Sequence, residues 1–225
     1  MSAVRLRISI LFFLMISAQV FLRTIGGQEQ WHQKQIAGEN KSLNLINSIL
    51  IDHHMSAIIE YQCVCADHSM FGLQVPLRRP SSQTSDVIQA LRHALSNDRS
   101  LIAQRDTNGL ILISDRSASQ DVLAIGIHQV AFSENEQYNP NAAIERVLQS
   151  PEVQAHFEEN GIDLPLRSSE LIAVPRKDLP HLDPEMKNVT VFDAIQLILQ
   201  KFPQLAVYRE CSGRSGRRTV SIDFR

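Results

Sequence analysis

The chain has 225 residues, 44% of them hydrophobic and 20% charged, with a formal net charge of −2. That is enough apolar material for one or two small domains with buried cores. The mildly acidic balance argues against the basic surface that a nucleic-acid partner requires. In chain order, Arg5 and Arg7 precede an apolar stretch over 8–22, which is shorter than the roughly 20 residues of a spanning helix. A basic start followed by a short apolar segment predicts an export signal over 1–26, cleaved after Ala18 or Gly26 or kept as an N-terminal anchor. The protein is then expected to be periplasmic or secreted, touching a membrane only through 8–22 if the signal stays. Residues 27–41 are polar and contain glycine, and predict a flexible linker.

Leu43, Ile46, Leu50 and Ile51 recur at helical spacing. From Ala57 the pattern changes to alternation: Ile59, Tyr61, Cys63 and Cys65 face one way, Glu60 and Gln62 the other, as in a half-buried strand. Pro76 marks 72–77 as a short edge strand. Val87, Leu91, Ala94 and Leu95 predict a helix over 86–96. Alternating strands then flank a Thr107–Gly109 turn in which Gly109 and Asn108 take positive φ.

The middle of the chain differs. A strand over 122–132 is followed by two short helices, with Ser150 and Pro151 as cap and first-turn residue of the second and Gly161 as its stop. Residues 170–174 predict another strand. Thr190 caps the last helix, with Asp193 in the position of a capping-box partner. Val191, Ala194, Ile195, Ile198, Leu199 and Phe202 form its apolar stripe, and Pro203 ends it. Two strands follow, joined by the basic, glycine-containing 211–218 turn. That turn reads as a solvated loop rather than an anion site.

A helix and hairpin thus occur twice. Laid over one another without a gap, Val87 meets Val191, Ala90 meets Ala194, Leu91 meets Ile195, Leu95 meets Leu199, Leu101 meets Leu205 and Arg105 meets Arg209. The shared positions are those that a helix on a hairpin must bury, which predicts an internal repeat. The fold class expected is α+β: two small strand–helix–hairpin units on antiparallel or mixed sheets, at 42–116 and 171–225. A strand and helical insert over 117–170 joins them. Whether the units pack as one domain is left open.

The second unit resembles the short N-terminal domain of secretins and TonB-dependent receptors. Asn188, Val189 and Thr190 lead into the helix, Ala194 and Ile195 lie in its first turns, and Tyr208 is the aromatic of the first hairpin strand. Ala90 and Leu91 fill the matching places of the first unit. The resemblance implies a non-enzymatic, exported module that binds another protein or its own copies through sheet edges or loops. No barrel sequence accompanies the units, and the 117–170 segment has no counterpart in that pattern.

Chemistry-bearing residues are sparse. His53, His54, Cys63, Cys65 and His68 concentrate metal-binding types, and Cys63, Cys65 and His68 are the candidate ligands of a zinc or copper site. The Cys-x-Cys-x-x-His spacing is not a standard one, so no metal and no other cofactor is expected. The sequence contains no Gly-x-Ser-x-Gly, His-Glu-x-x-His or phosphate-loop motif, so no catalytic residue is assigned. The alternative reading is an exported enzyme or metal-handling protein using Cys63, Cys65 and nearby histidines. Export permits disulfides. With three cysteines, at least one is left over or pairs between chains; either Cys63 or Cys65 is available to bond Cys211, or the two stay buried free thiols in the strand. Asn40 and Asn188 head Asn-x-Ser/Thr sequences, the second better explained as the lead into the helix.

Overall fold

The computed structural model describes residues 41–66, 69–71, 86–96, 100–115, 119–164, 178–213 and 216–225. The predicted export signal and linker, the 72–77 and 170–174 strands, and His68 lie outside them. So do the side chains of Cys63 and Cys65.

Helix α1 (41–52) is followed by strands β1 (Ala57–Ala66) and β2 (Ser69–Phe71). Helix α2 (Val87–Ala94) leads into the hairpin of β3 (Leu101–Arg105) and β4 (Ile111–Asp115). The middle segment supplies β5 (Gly126–Ala131), the short α3 (Glu134–Gln137), α4 (Pro140–Leu148), α5 (Pro151–Asn160) and β6 (Ile162–Asp163). The chain closes with β7 (Glu185–Thr190), α6 (Val191–Lys201) and the hairpin of β8 (Leu205–Gly213) and β9 (Arg218–Phe224). None of the described helices is long and apolar enough to cross a membrane.

The fold is α+β. One mixed sheet runs β3-β4-β1-β8-β9-β6, and β2 pairs with the end of β1. β1 is parallel to both β4 and β8, while each hairpin is antiparallel within itself. Both hairpins therefore dock on a single central strand and belong to one sheet. A separate two-stranded ribbon pairs β5 with β7.

Helices cover both faces of this sheet. On the front, Leu43, Ile46 and Leu50 of α1 and Val87, Leu91 and Leu95 beside α2 pack on Ile59, Ile113 and Val207. On the back, Ile144 and Val147 of α4 and Ile195 and Ile198 of α6 pack on Ile58, Tyr208 and Ile222. This burial corrects two sequence expectations. Over 57–61 β1 is buried on both sides, so Glu60 is only 3% exposed and lies inside the back layer, while Gln62 stays exposed. Helix α1 turns Ile49 inward, whereas Ile51 is 63% exposed.

Asp86 Oδ1 accepts from Ile88 N at 2.9 Å and caps α2. Thr190 Oγ1 accepts from Asp193 N at 3.0 Å, and Asp193 Oδ2 accepts from Thr190 N at 2.9 Å. That reciprocal cap engages the hydroxyl of the Asn188-Val189-Thr190 sequence. Gly109 takes φ +85° in the β3–β4 turn, but Asn108 stays at negative φ. Asp106 is the reason: its Oδ1 accepts from Asn108 N at 2.8 Å and Leu110 N at 2.9 Å, so a side-chain-closed turn needs only one left-handed residue. Ser150 and Pro151 begin α5 and Gly161 ends it at φ +61°, but Ser150 Oγ is buried without a partner among the described residues.

The two helix–hairpin units correspond in outline. With the helix toward the viewer and the first strand pointing up, the second strand lies on the same side in both. The gapless overlay nevertheless fails at the strands. Leu101 and Ala103 face α2, but their counterparts Leu205 and Val207 face away from α6; Ala206 and Tyr208 face it instead. A one-residue offset separates the strand faces, because a strand alternates its side chains with period two. Since α2 and α6 pack on one shared sheet, Leu91→Ala and Ile195→Ala should each cost about 3 kcal/mol. Each variant should unfold in a single transition seen alike by far-UV and near-UV circular dichroism.

Candidate functional site

The richest polar constellation sits on the back of the sheet, where β1, β8 and β9 run side by side. β1 contributes Glu60, beside Tyr208 in the parallel register, and β8 contributes Tyr208 and Glu210. Arg218 begins β9. A turn over 119–124 lies across these strands and brings Gln120 and Asp121, and α5 brings His156.

Arg218 organises the site. Its Nη1 and Nη2 donate to Asp121 Oδ2 and Oδ1 at 2.9 and 2.8 Å, and its Nε donates to Glu210 Oε1 at 2.9 Å. The bidentate fork matches a carboxylate and fixes both groups in direction as well as distance. It holds Asp121 well below the usual carboxylate range, chiefly through that hydrogen bond, and the same partners raise Arg218 above the ordinary arginine value. His156 Nε2 approaches Asp121 Oδ2 at 3.4 Å. Tyr208 Oη lies 3.5 Å from Glu210 Oε2. Burial, reinforced by Glu210, pushes the Tyr208 hydroxyl far up, so it stays a neutral donor. Gln120 Nε2 donates to Glu60 Oε2 at 3.2 Å. Burial raises the Glu60 carboxyl above its ordinary value, and the Gln120 hydrogen bond only partly offsets this.

The front face carries a second ion pair. Arg209 forks onto Asp223, with Nη1 to Oδ1 and Nη2 to Oδ2, donates from Nε to Tyr61 Oη at 2.6 Å, and reaches Ser221 Oγ at 3.4 Å. Asp223 also accepts from Arg225 Nε at 3.2 Å. The basic turn is therefore not simply a solvated loop. Arg209 is buried in β8 and Arg218 is tied into the back cluster; among the described arginines of that stretch, Arg217 is the exposed one, 3.6 Å from Asp163. Period-two alternation puts Arg209 and Arg218 on strands, but only the neighbouring strands say which carboxylates they meet.

Cys211 is buried and disulfide-bonded. The chain holds only Cys63 and Cys65 besides, and the β1–β8 register sets the Cα of Cys63 directly across from Cys211, with Cys65 across from Gly213. One of the two sulfurs that the metal reading relies on is thus engaged with Cys211. His53 and His54 lie in the turn after α1, and among the described residues no three His, Cys, Asp or Glu side chains converge on a metal position. His68 and the Cys63 and Cys65 side chains fall outside that statement.

The back cluster has the buried, perturbed groups that mark functional sites in general. Its donors and acceptors are turned on one another, however. A surface hollow of about 340 Å³ lies nearby between α5 and β6, lined by Phe157, Ile162, Leu164, Gln154, Asp163 and Arg217 among others. It shares no lining residue with the cluster. The arrangement can store charge and hold the 119–124 turn; it presents no nucleophile paired with a base. No family model, curated protein or solved structure matches this chain.

Proposed function

We propose that this chain is an exported, non-enzymatic protein-binding or assembly module, of the kind to which secretin and TonB short N-terminal domains belong. We further propose that it docks a partner chain by strand addition along β3. The observation that carries this reading is the position of β3. It ends the main sheet, and no described strand pairs with its outer side. Ile111 N turns toward the β1 side of β4, donating to Ser56 O at 3.3 Å. Alternation then gives the inner side of the hairpin to Ile102 and Gln104 and turns the backbone groups of Leu101, Ala103 and Arg105 outward. Arg92 Nε donates to the outward Ala103 O at 3.4 Å, and Gln104 and Arg105 are exposed. A row of outward backbone groups is a template for an added strand. The opposite end of the sheet is closed differently: β6 pairs with the start of β9, and Asn141 Oδ1 accepts from Phe224 N at 2.8 Å. The Cys211 disulfide supports an oxidising compartment outside the cytoplasm.

Arg105→Pro tests this reading, since it removes one outward N–H while sparing the β3–β4 hydrogen bonds. A photo-crosslinking side chain at Gln104 identifies the bound protein in exporting cells. Titration of the purified pair should then give at least about tenfold weaker binding for Arg105→Pro at unchanged melting temperature. Equal affinity for wild type and variant removes β3 as the docking edge.

A further inference from the structure

The 119–124 turn has a role that neither the docking edge nor the repeat explains. It crosses the back of the sheet and is fastened there by the buried Val122 and Leu123 and by polar links: the Arg218 fork to Asp121, the His156 contact to Asp121, and the Gln120 hydrogen bond to Glu60. It also holds the start of α6. Val191 N donates to Ile125 O and Phe192 N to Leu123 O, each at 3.0 Å. These are two of the four N–H groups that a helix leaves unpaired at its start.

The charges under the turn do not balance. Among the described residues Arg218 is the cation, and Asp121 and Glu210 are already paired with it. Glu60 lies 3% exposed beside them and accepts its hydrogen bond from the neutral Gln120. The other groups around it are Tyr208 on β8, the β4 neighbour Ser114, and His156 on α5, which touches Asp121. The residues of α4 and α6 buried on this face are apolar. A negative Glu60 thus adds a third carboxylate near one guanidinium, at a position that is itself shut off from water.

We propose that the 119–124 turn is a proton-operated latch, closed over the back of the sheet while Glu60 is protonated and released toward solvent when Glu60 ionises. Release exposes the Glu60 carboxylate to water and frees the first N–H groups of α6. The sign follows from the buried carboxyl. Its pKa is raised while the turn is closed and returns toward the ordinary 4.5 when the turn opens. Closure is therefore strongest below that ordinary value and weakens as pH rises through the raised one, by up to about tenfold in the opening equilibrium per pH unit. Asp121 does not interfere in this range, because its lowered pKa affects closure only in stronger acid.

Amide hydrogen exchange on the full chain, corrected for intrinsic rates between about pH 5 and pH 8, reads the latch directly. The reporters are Val122, Ala124 and Ile125, whose N–H groups bond within the turn. Their protection should fall with pH in the wild type while that of Val207 in the sheet stays level. Glu60→Gln should abolish the fall, and His156→Gln should keep it. A fall that survives in Glu60→Gln, or that is shared equally by Val207, overturns the latch.

Discussion

Replacing Arg218 by Met should cost about 3 kcal/mol of folding stability at neutral pH in urea denaturation. The loss has two sources. Glu210, 2% exposed, loses the guanidinium at 2.9 Å and is left as a buried carboxylate with the Tyr208 hydroxyl as its remaining hydrogen-bond partner among the described residues. Asp121 loses both arms of the fork, and with them the main anchor of the 119–124 turn. Because Asp121 is about a third exposed and Arg218 about a quarter, solvent screens part of their attraction, so most of the deficit belongs to Glu210. Adding Glu210→Gln should recover much of it. A change of less than about 1 kcal/mol in the single variant would place the cluster with ordinary surface ion pairs.

Reduction of the Cys211 disulfide is the second large effect. The bond joins a strand near the start of the fold to one near its end, closing a loop that spans most of the described chain. Loops of that length are worth about 5 kcal/mol in the chain-entropy account. Guanidinium denaturation with and without a reductant should show that difference for the wild type. The β1–β8 register favours Cys63 as the partner of Cys211. Cys63→Ser should therefore start from the lower stability and be insensitive to reductant, whereas Cys65→Ser should behave like the wild type. The reverse pattern assigns the bond to Cys65. Insensitivity of the wild type itself would mean that no bond contributes.

Both effects depend on contacts far apart in sequence, and such contacts divide what was legible from what was not. The helices beginning at Val87 and Val191 were readable because apolar spacing and a capping oxygen act within one or two turns. The Asp106–Leu110 turn and the Pro151 helix start belong to the same class. Glu60 was misread for the converse reason. Alternation fixes that Ile59 and Glu60 point to opposite faces, but it does not say that α6 covers the second face as α1 and α2 cover the first. The strand correspondence of the repeat failed in a similar way, since one residue of offset leaves the apolar pattern recognisable and reverses the face it serves.

The amino-acid order alone determined the short-range features of this protein: where helices start and stop, where hairpins turn, and an α+β character with the helix–hairpin unit occurring twice. Each follows from forces between residues a few positions apart. Only the tertiary structure decided that both hairpins share β1, that Arg218 meets Asp121 and Glu210, and that Cys211 lies beside Cys63. Those pairings join residues as far apart as Asp121 and Arg218. They arise when strands select neighbours and both sheet faces are sealed from water, a competition among whole surfaces that no local window of sequence contains.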